Sequence, residues 1–305
     1  MILSTLVLAA FSTTVASDPP EIPNGWSEKF VYANGIRIHY YRAVPAPGKP
    51  VILAIHGVMD TGLAWASVAE LLQDDYEIYM LDTRGHGLSD PFTSTEDSNT
   101  LLKDVLAVAQ NLGIEKPVLM GHSMGGATVI RLGAEFPDFA RAIVVVDAGI
   151  SGPRPQNQGT SSSTSPPQTD PMAITMRGSP ETLVAQNNYR FDDLVAKAHR
   201  ENPRWSMMDC SFWAGAIKRY HGPYSEEVWQ AMSGTMRSAD ALGKIKVPCI
   251  ILKADALPEV RKVHQEAASV MQKGKLVHID NSAHNLQRDQ PAKAAEVIKS
   301  FLAKE

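Results

Sequence analysis

Residues 118–126 read Val-Leu-Met-Gly-His-Ser-Met-Gly-Gly. A short apolar run, Val118-Leu119-Met120, stops at Gly121, and an apolar pattern of helical period begins at Met124. That order is a strand, a sharp turn and a helix. Gly121 and Gly125 frame the serine as G-x-S-x-G. Such a turn is so tight that side chains at the flanking positions collide, and it leaves the serine hydroxyl exposed at its apex. Ser123 is therefore the candidate nucleophile. A serine hydroxyl reacts poorly at neutral pH, so it needs a base within hydrogen-bond reach and a third group that orients the base.

Outward from this turn, the chain alternates. Upstream, Val51 to Ile55 is a continuous apolar run, the pattern of a strand buried on both faces, and it leads into His56-Gly57-Val58. A helical pattern follows near residues 64–72, then a strand at 78–81 that runs into Asp82-Thr83-Arg84-Gly85-His86-Gly87. In residues 100–112, Leu101, Leu102, Val105, Leu106, Val108, Ala109 and Leu112 fall on one face, as a helix lying on a sheet requires. Another strand is expected at 143–146. Downstream the pattern resumes with a strand at 247–252, a helix from Pro258 through Met271, a strand at 275–279 and a last helix at 291–302 opened by Pro291. Near the start, Asn34-Gly35 joins two strand patterns, at 29–33 and 36–43, and suits the positive backbone angles of a two-residue hairpin turn. Strands alternating with helices predict an α/β fold: a mostly parallel sheet of about eight strands with crossover helices and an antiparallel hairpin at one edge.

The pattern breaks between residues 151 and 240. Residues 151–171 are rich in Ser, Thr, Pro, Gln and Gly and are expected to form a mobile surface loop, because they have little apolar surface to bury. From Pro180 to Gly243 the chain turns helical and rich in aromatic residues and methionine. The expected organisation is thus a core of residues 18–150 and 241–305 with an inserted loop and helical lid at 151–240. Most of the insertion's aromatics are expected to form its own small core, with Trp205, Met208 and Trp213 as candidates for facing a binding pocket.

The bulk properties exclude several classes. The chain has 305 residues, 44% hydrophobic and 20% charged, with a formal net charge of −4, the balance of an ordinary globular protein with no basic stretch for nucleic acid. Residues 1–17 are a short apolar run ending in small residues, expected to be a secretory signal cleaved near Ala16 or Ser17, which directs the protein outside the cytoplasm or to the periplasm. The run is too short for a membrane span. Two cysteines, Cys210 and Cys249, make no disulfide framework, and no His or Cys spacing implies a metal or other cofactor.

Four blocks together, Val51 to Val58, Leu81 to Ser89, the elbow at 118–126 and Asn281-Ser282-Ala283-His284, resemble the α/β-hydrolase superfamily over nearly the whole chain outside the insertion. The resemblance implies that His284, in the turn after the last strand, is the base. A glycine usually precedes that histidine, and here the residue is Ala283. For the acid it implies Asp255 after the seventh strand as the first choice, with Asp147 at the end of the sixth as the alternative. The usual pattern after the seventh strand has a glycine and an acid three residues later, where this chain has Ala254 and Leu257. The backbone amides of Val58 and Met124 are the implied oxyanion donors. His56, His86, His122, Asp82 and Arg84 belong to turns and are expected to be structural. Relatives that cleave epoxides or carbon–halogen bonds need aspartate at the elbow, so the serine points to acyl transfer. A carboxylic ester or lactone of a small apolar or aromatic molecule is the expected substrate. The alternatives are cleavage of a diketone C–C bond, an amidase, a perhydrolase, or a receptor-like member with little turnover.

Overall fold

The computed structural model describes residues 21–93, 96–150, 188–222, 224–233 and 238–304. The expected signal at 1–17 and the loop at 151–171 lie outside them. Strands β1 (Ser27–Ala33) and β2 (Ile36–Arg42) form the expected hairpin, with φ of +47° at Asn34 and +81° at Gly35. The remaining strands are β3 (Val51–Ile55), β4 (Glu77–Leu81), β5 (Val118–His122), β6 (Ala142–Val146), β7 (Cys249–Lys253) and β8 (Gly274–His278). They form one eight-stranded sheet of order β1-β2-β4-β3-β5-β6-β7-β8, antiparallel at β1, β2 and β4 and parallel from β4 onward.

Burial on both faces explains why the central strands read as unbroken apolar runs. Because side chains alternate along a strand, Ile52, Ala54, Met120, Val144 and Leu252 point to one face and Leu53, Ile55, Leu119, Val145 and Ile251 to the other. The first face packs on helices α1 (Ala66–Leu72) and the C-terminal Pro291–Leu302, through Leu72, Ile298 and Phe301. The second packs on α2 (Thr100–Asn111) and α3 (Met124–Glu135), through Leu102, Val105, Val129 and Leu132.

The insertion after β6 contributes helices α4 (Phe191–Glu201), α5 (Met207–Lys218), α6 (Glu226–Ser233) and α7 (Ser238–Leu242). Ser206 caps α5, its hydroxyl accepting the Asp209 amide at 3.0 Å. Helices α4 and α5 pack on each other through Leu194, Ala214 and Ile217, and through Ala198, Trp205 and Cys210. Helix α8 (Pro258–Ala268) ends earlier than the periodicity predicts, since Met271 is held in a turn on the Ala268 carbonyl. After β8 come the short α9 (Leu286–Asp289) and the C-terminal helix, α10. Both cysteines are buried free thiols. No helix among the described residues is long and apolar enough to cross a membrane.

Candidate active site

Five adjacent parallel strands, β3, β5, β6, β7 and β8, end side by side, and the loops that leave their carboxyl ends carry the chemistry. Ser123 follows β5 directly. Its backbone is at φ +51° and ψ −113°, outside the regions that L-residues ordinarily occupy. The glycines make this possible. A Cβ on Gly121 would come within 2.2 Å of the Gly125 carbonyl oxygen, and one on Gly125 within 2.2 Å of that of Ile55. The elbow is further pinned by the Ser123 amide on the Val146 carbonyl (2.9 Å) and the Gly125 amide on that of His56 (3.1 Å).

Asp147 follows β6, and its amide continues the ladder onto the Leu252 carbonyl at 2.8 Å. A φ of +42° turns its side chain across the mouth of the sheet. His284 arrives from the loop after β8. Its Nε2 lies 3.1 Å from Ser123 Oγ and its Nδ1 2.7 Å from Asp147 Oδ2, so hydroxyl, imidazole and carboxylate are in line. His122 Nε2 donates to the His284 carbonyl at 2.9 Å, which holds the histidine loop by its main chain. Burial, then the neighbouring His284, push the His122 pKa down to about 3, so that ring is neutral at ordinary pH. For Asp147, burial works against ionisation. The hydrogen bond from His284, the Lys253 ammonium at 2.6 Å and the Ala254 amide at 3.1 Å overcome it and hold the carboxyl well below its ordinary range.

This corrects the expected acid. Asp255 does not face His284: its Oδ1 accepts from Arg261 at 2.5 Å and its Oδ2 from the Asn281 amide at 2.9 Å, on the exposed outer side of the loop. The physical reason lies in the preceding residues. Lys253 and the Ala254 amide are already spent on Asp147, so the chain leaves β7 turned away from the histidine.

A cavity of about 370 Å³ opens over the serine. Ser123, His284 and Val58 form part of its wall, and Leu194, Trp213 and Ile217 of the inserted helices complete it. Its more exposed wall carries Lys197 and Glu201, which pair with each other along α4. The Val58 and Met124 amides have no backbone acceptor among the described residues, and Met124 opens α3, where free N–H groups and the helix dipole favour negative charge. Of the three lid residues expected to face the pocket, only Trp213 lines it. Trp205 is turned inward instead, its indole N–H donating to Asp289 at 3.0 Å and its ring 4.9 Å from the Arg288 guanidinium carbon. Met208 packs against the core beside the sheet.

Two features escaped sequence reading. Arg288, almost fully buried, grips Asp60 with two hydrogen bonds of 2.6 and 3.0 Å, and so ties the loop after β3 to the segment after His284. Nothing in sequence links positions 228 residues apart. Lys253 left a trace, a cation ending the otherwise apolar run Cys249-Ile250-Ile251-Leu252, where burial demands a partner. The other expected structural residues are anchored. Asp82 accepts from the Gly62 and Leu88 amides, and Arg84 from its buried position reaches Asp104 at 2.8 and 2.9 Å. His56 accepts the Thr83 amide at 3.0 Å and His86 contacts the Arg84 carbonyl at 3.0 Å.

A glycine-framed serine at the carboxyl edge of a mostly parallel sheet, bonded to an imidazole that is bonded to a carboxylate, defines the class of α/β-hydrolases. The chain belongs to the alpha/beta hydrolase family, which it matches over residues 51–297. It is 22% identical to epoxide hydrolase 1 of Caenorhabditis elegans over 94% of this chain and 73% of that protein. With N-formylmaleamate deformylase of Pseudomonas putida it shares 37% identity over 124 residues, 40% of this chain and 46% of that protein. In fold it is similar to naproxen esterase from Bacillus subtilis, with a TM-score of 0.68 at 16% identity, covering 92% of this chain and 93% of that one. The protein is a hydrolase.

Proposed function

We propose that the protein is a serine hydrolase that cleaves a carboxylic ester or lactone through an acyl-enzyme on Ser123. The observation that carries this reading is the 3.1 Å contact of His284 Nε2 with Ser123 Oγ, backed by the 2.7 Å contact of Nδ1 with Asp147. His284 takes the Ser123 proton as Oγ attacks the substrate carbonyl, and the Val58 and Met124 amides receive the oxyanion. The imidazolium then gives its proton to the departing alkoxide, leaving the acyl group on serine. Water, deprotonated by His284, attacks the ester and releases the carboxylic acid and free Ser123. Asp147 orients the ring and stabilises the imidazolium throughout. Epoxide opening, the activity in the nematode relative's name, does not suit this elbow, because attack on an epoxide carbon in that class uses a carboxylate there and this chain has the Ser123 hydroxyl.

A second reading, hydrolysis of a small amide, draws on the local 37% identity with the deformylase. Both readings place the acyl group in the cavity beneath α4 and α5, which then act as a lid, and neither calls for a metal or cofactor. Secretion through residues 1–17 belongs to the same proposal, with the mature N-terminus, read by sequencing the exported protein, expected near Ser17.

The test is initial-rate hydrolysis of p-nitrophenyl acetate, butyrate and octanoate, with Ser123→Ala as control. Turnover lost in the variant identifies the serine, and chain-length preference sizes the acyl pocket. Equal background rates in both proteins overturn the simple-ester reading and promote lactone and formamide panels.

A further inference from the structure

A lysine seated on the acid of the triad is chemically consequential, because a catalytic carboxylate acts through its negative charge. Lys253 is the last residue of β7, and its side chain is buried beside the strand ends. Its ammonium lies 2.6 Å from Asp147 Oδ1 and 3.1 Å from the Ala148 carbonyl oxygen. The two oxygens of Asp147 are thereby divided: Oδ2 faces His284, while Oδ1 faces Lys253 and the Ala254 amide.

We infer that Lys253 is a positioning residue that sets the working pH of the proposed triad: by neutralising Asp147 it makes the protonated form of His284 less favourable, so the base stays free at lower pH and its imidazolium returns its proton more readily. The inference rests on the proposed roles of Ser123, His284 and Asp147. The other ionisable groups around the pair do not supply the same charge. His122, whose ring centroid is 4.7 Å from that of His284, is neutral. Asp60 is compensated by Arg288. Lys197 and Glu201 across the cavity pair with each other. On the far side of Lys253, His264 of α8 and His278 of β8 stack with 3.0 Å between Nδ1 and Nε2. Burial first, then nearby cations including Lys253, holds both below the ordinary imidazole value. A buried staple joining β6 to β7 would share the geometry, but it would not move a titration.

The experiment therefore reads His284 itself. Histidine-labelled Ser123→Ala protein is titrated by NMR, with the His284 Cε1–H signal assigned by its loss on His284→Gln, alongside the same protein carrying Lys253→Met, Lys253→Gln or Lys253→Arg. The neutral variants are expected to titrate about 1 pH unit or more above the parent, and Lys253→Arg close to it. In protein with Ser123 intact, the acid limb of kcat/KM moves up by the same amount in the neutral variants. An unmoved midpoint in folded Lys253→Met or Lys253→Gln overturns the inference and leaves Lys253 a staple, as does failure of both neutral variants to fold while Lys253→Arg folds. Because the NMR arm needs no substrate, it reads Lys253 even if no ester is turned over.

Discussion

At the scale of single residues, the decisive choice lies between two aspartates one strand apart. Asp147 sits at the end of β6, next to β5 and the serine, whereas Asp255 leaves β7 and is taken by Arg261 and the Asn281 amide. Replacing an orienting carboxylate by its amide preserves shape but reverses what Nδ1 can donate to, which costs roughly ten-thousandfold in turnover in serine triads. Asp147→Asn is accordingly expected to lower kcat by about three to four orders of magnitude, and Asp255→Asn by less than about threefold, in parallel assays on whichever ester the wild type turns over. A loss of that size in Asp255→Asn with little change in Asp147→Asn would return the acid to Asp255. Backbone strain marks the same place. Met59, Ser123, Asp147 and Asn281 all carry positive φ without being glycine, and all lie in the loops that build this end of the sheet.

At the scale of elements, the site depends on how closely two elements approach and on what ties the loops. β5 and α3 meet at the elbow with no room for a methyl group, so Gly121→Ala is expected to lower stability by about 1–3 kcal/mol or more, read as a shift of the urea midpoint. The loop after β3, which presents the Val58 amide, and α9, which follows His284, are joined by Asp60 and Arg288 with both charges buried. Removing one partner strands the other. Arg288→Met is expected to cost about 3–5 kcal/mol, and the double change Asp60→Leu with Arg288→Met less than that, because only the buried Asp209, 3.9 Å from the Arg288 Nε, then loses its cation. A double variant weaker than Arg288→Met would show that the pair contributes packing rather than charge compensation.

For the whole molecule, buried neutral histidines make stability depend on pH. Burial drives the pKa of His86 and of His122 down to about 3, against an ordinary value of about 6.5. Between those values the unfolded chain binds protons that the folded chain refuses. Their contribution is thus complete above about pH 6.5 and falls with pH by about 1.4 kcal/mol per unit for each ring. The depressed carboxyls of Asp60 and Asp147 act in a lower window: their contribution is present above about pH 3.9 and lost as pH falls further. Urea unfolding from about pH 7 down to 4 is expected to show the histidine slope, and His122→Gln to reduce it by about 1.4 kcal/mol per unit. An unchanged slope in that variant would place the titration elsewhere.

The sequence by itself determined what local pattern can encode. Apolar runs such as Val51 to Ile55 announced strands covered on both faces, Asn34-Gly35 announced the hairpin, and the glycines around Ser123 announced an elbow, because backbone sterics act over a few residues. His284 was legible only through the resemblance of the turn Asn281-Ser282-Ala283-His284 to the α/β-hydrolase superfamily. Tertiary structure alone decided which aspartate meets His284, since β6 and β7 both end in the right neighbourhood and the choice turns on where Lys253 and Arg261 place their cations. It also decided that Trp213 lines the cavity while Trp205 stacks on Arg288, and that Arg288 meets Asp60 across 228 residues. Those outcomes are set by pairing of buried charges and by packing between distant segments, and neither leaves a periodicity along the chain.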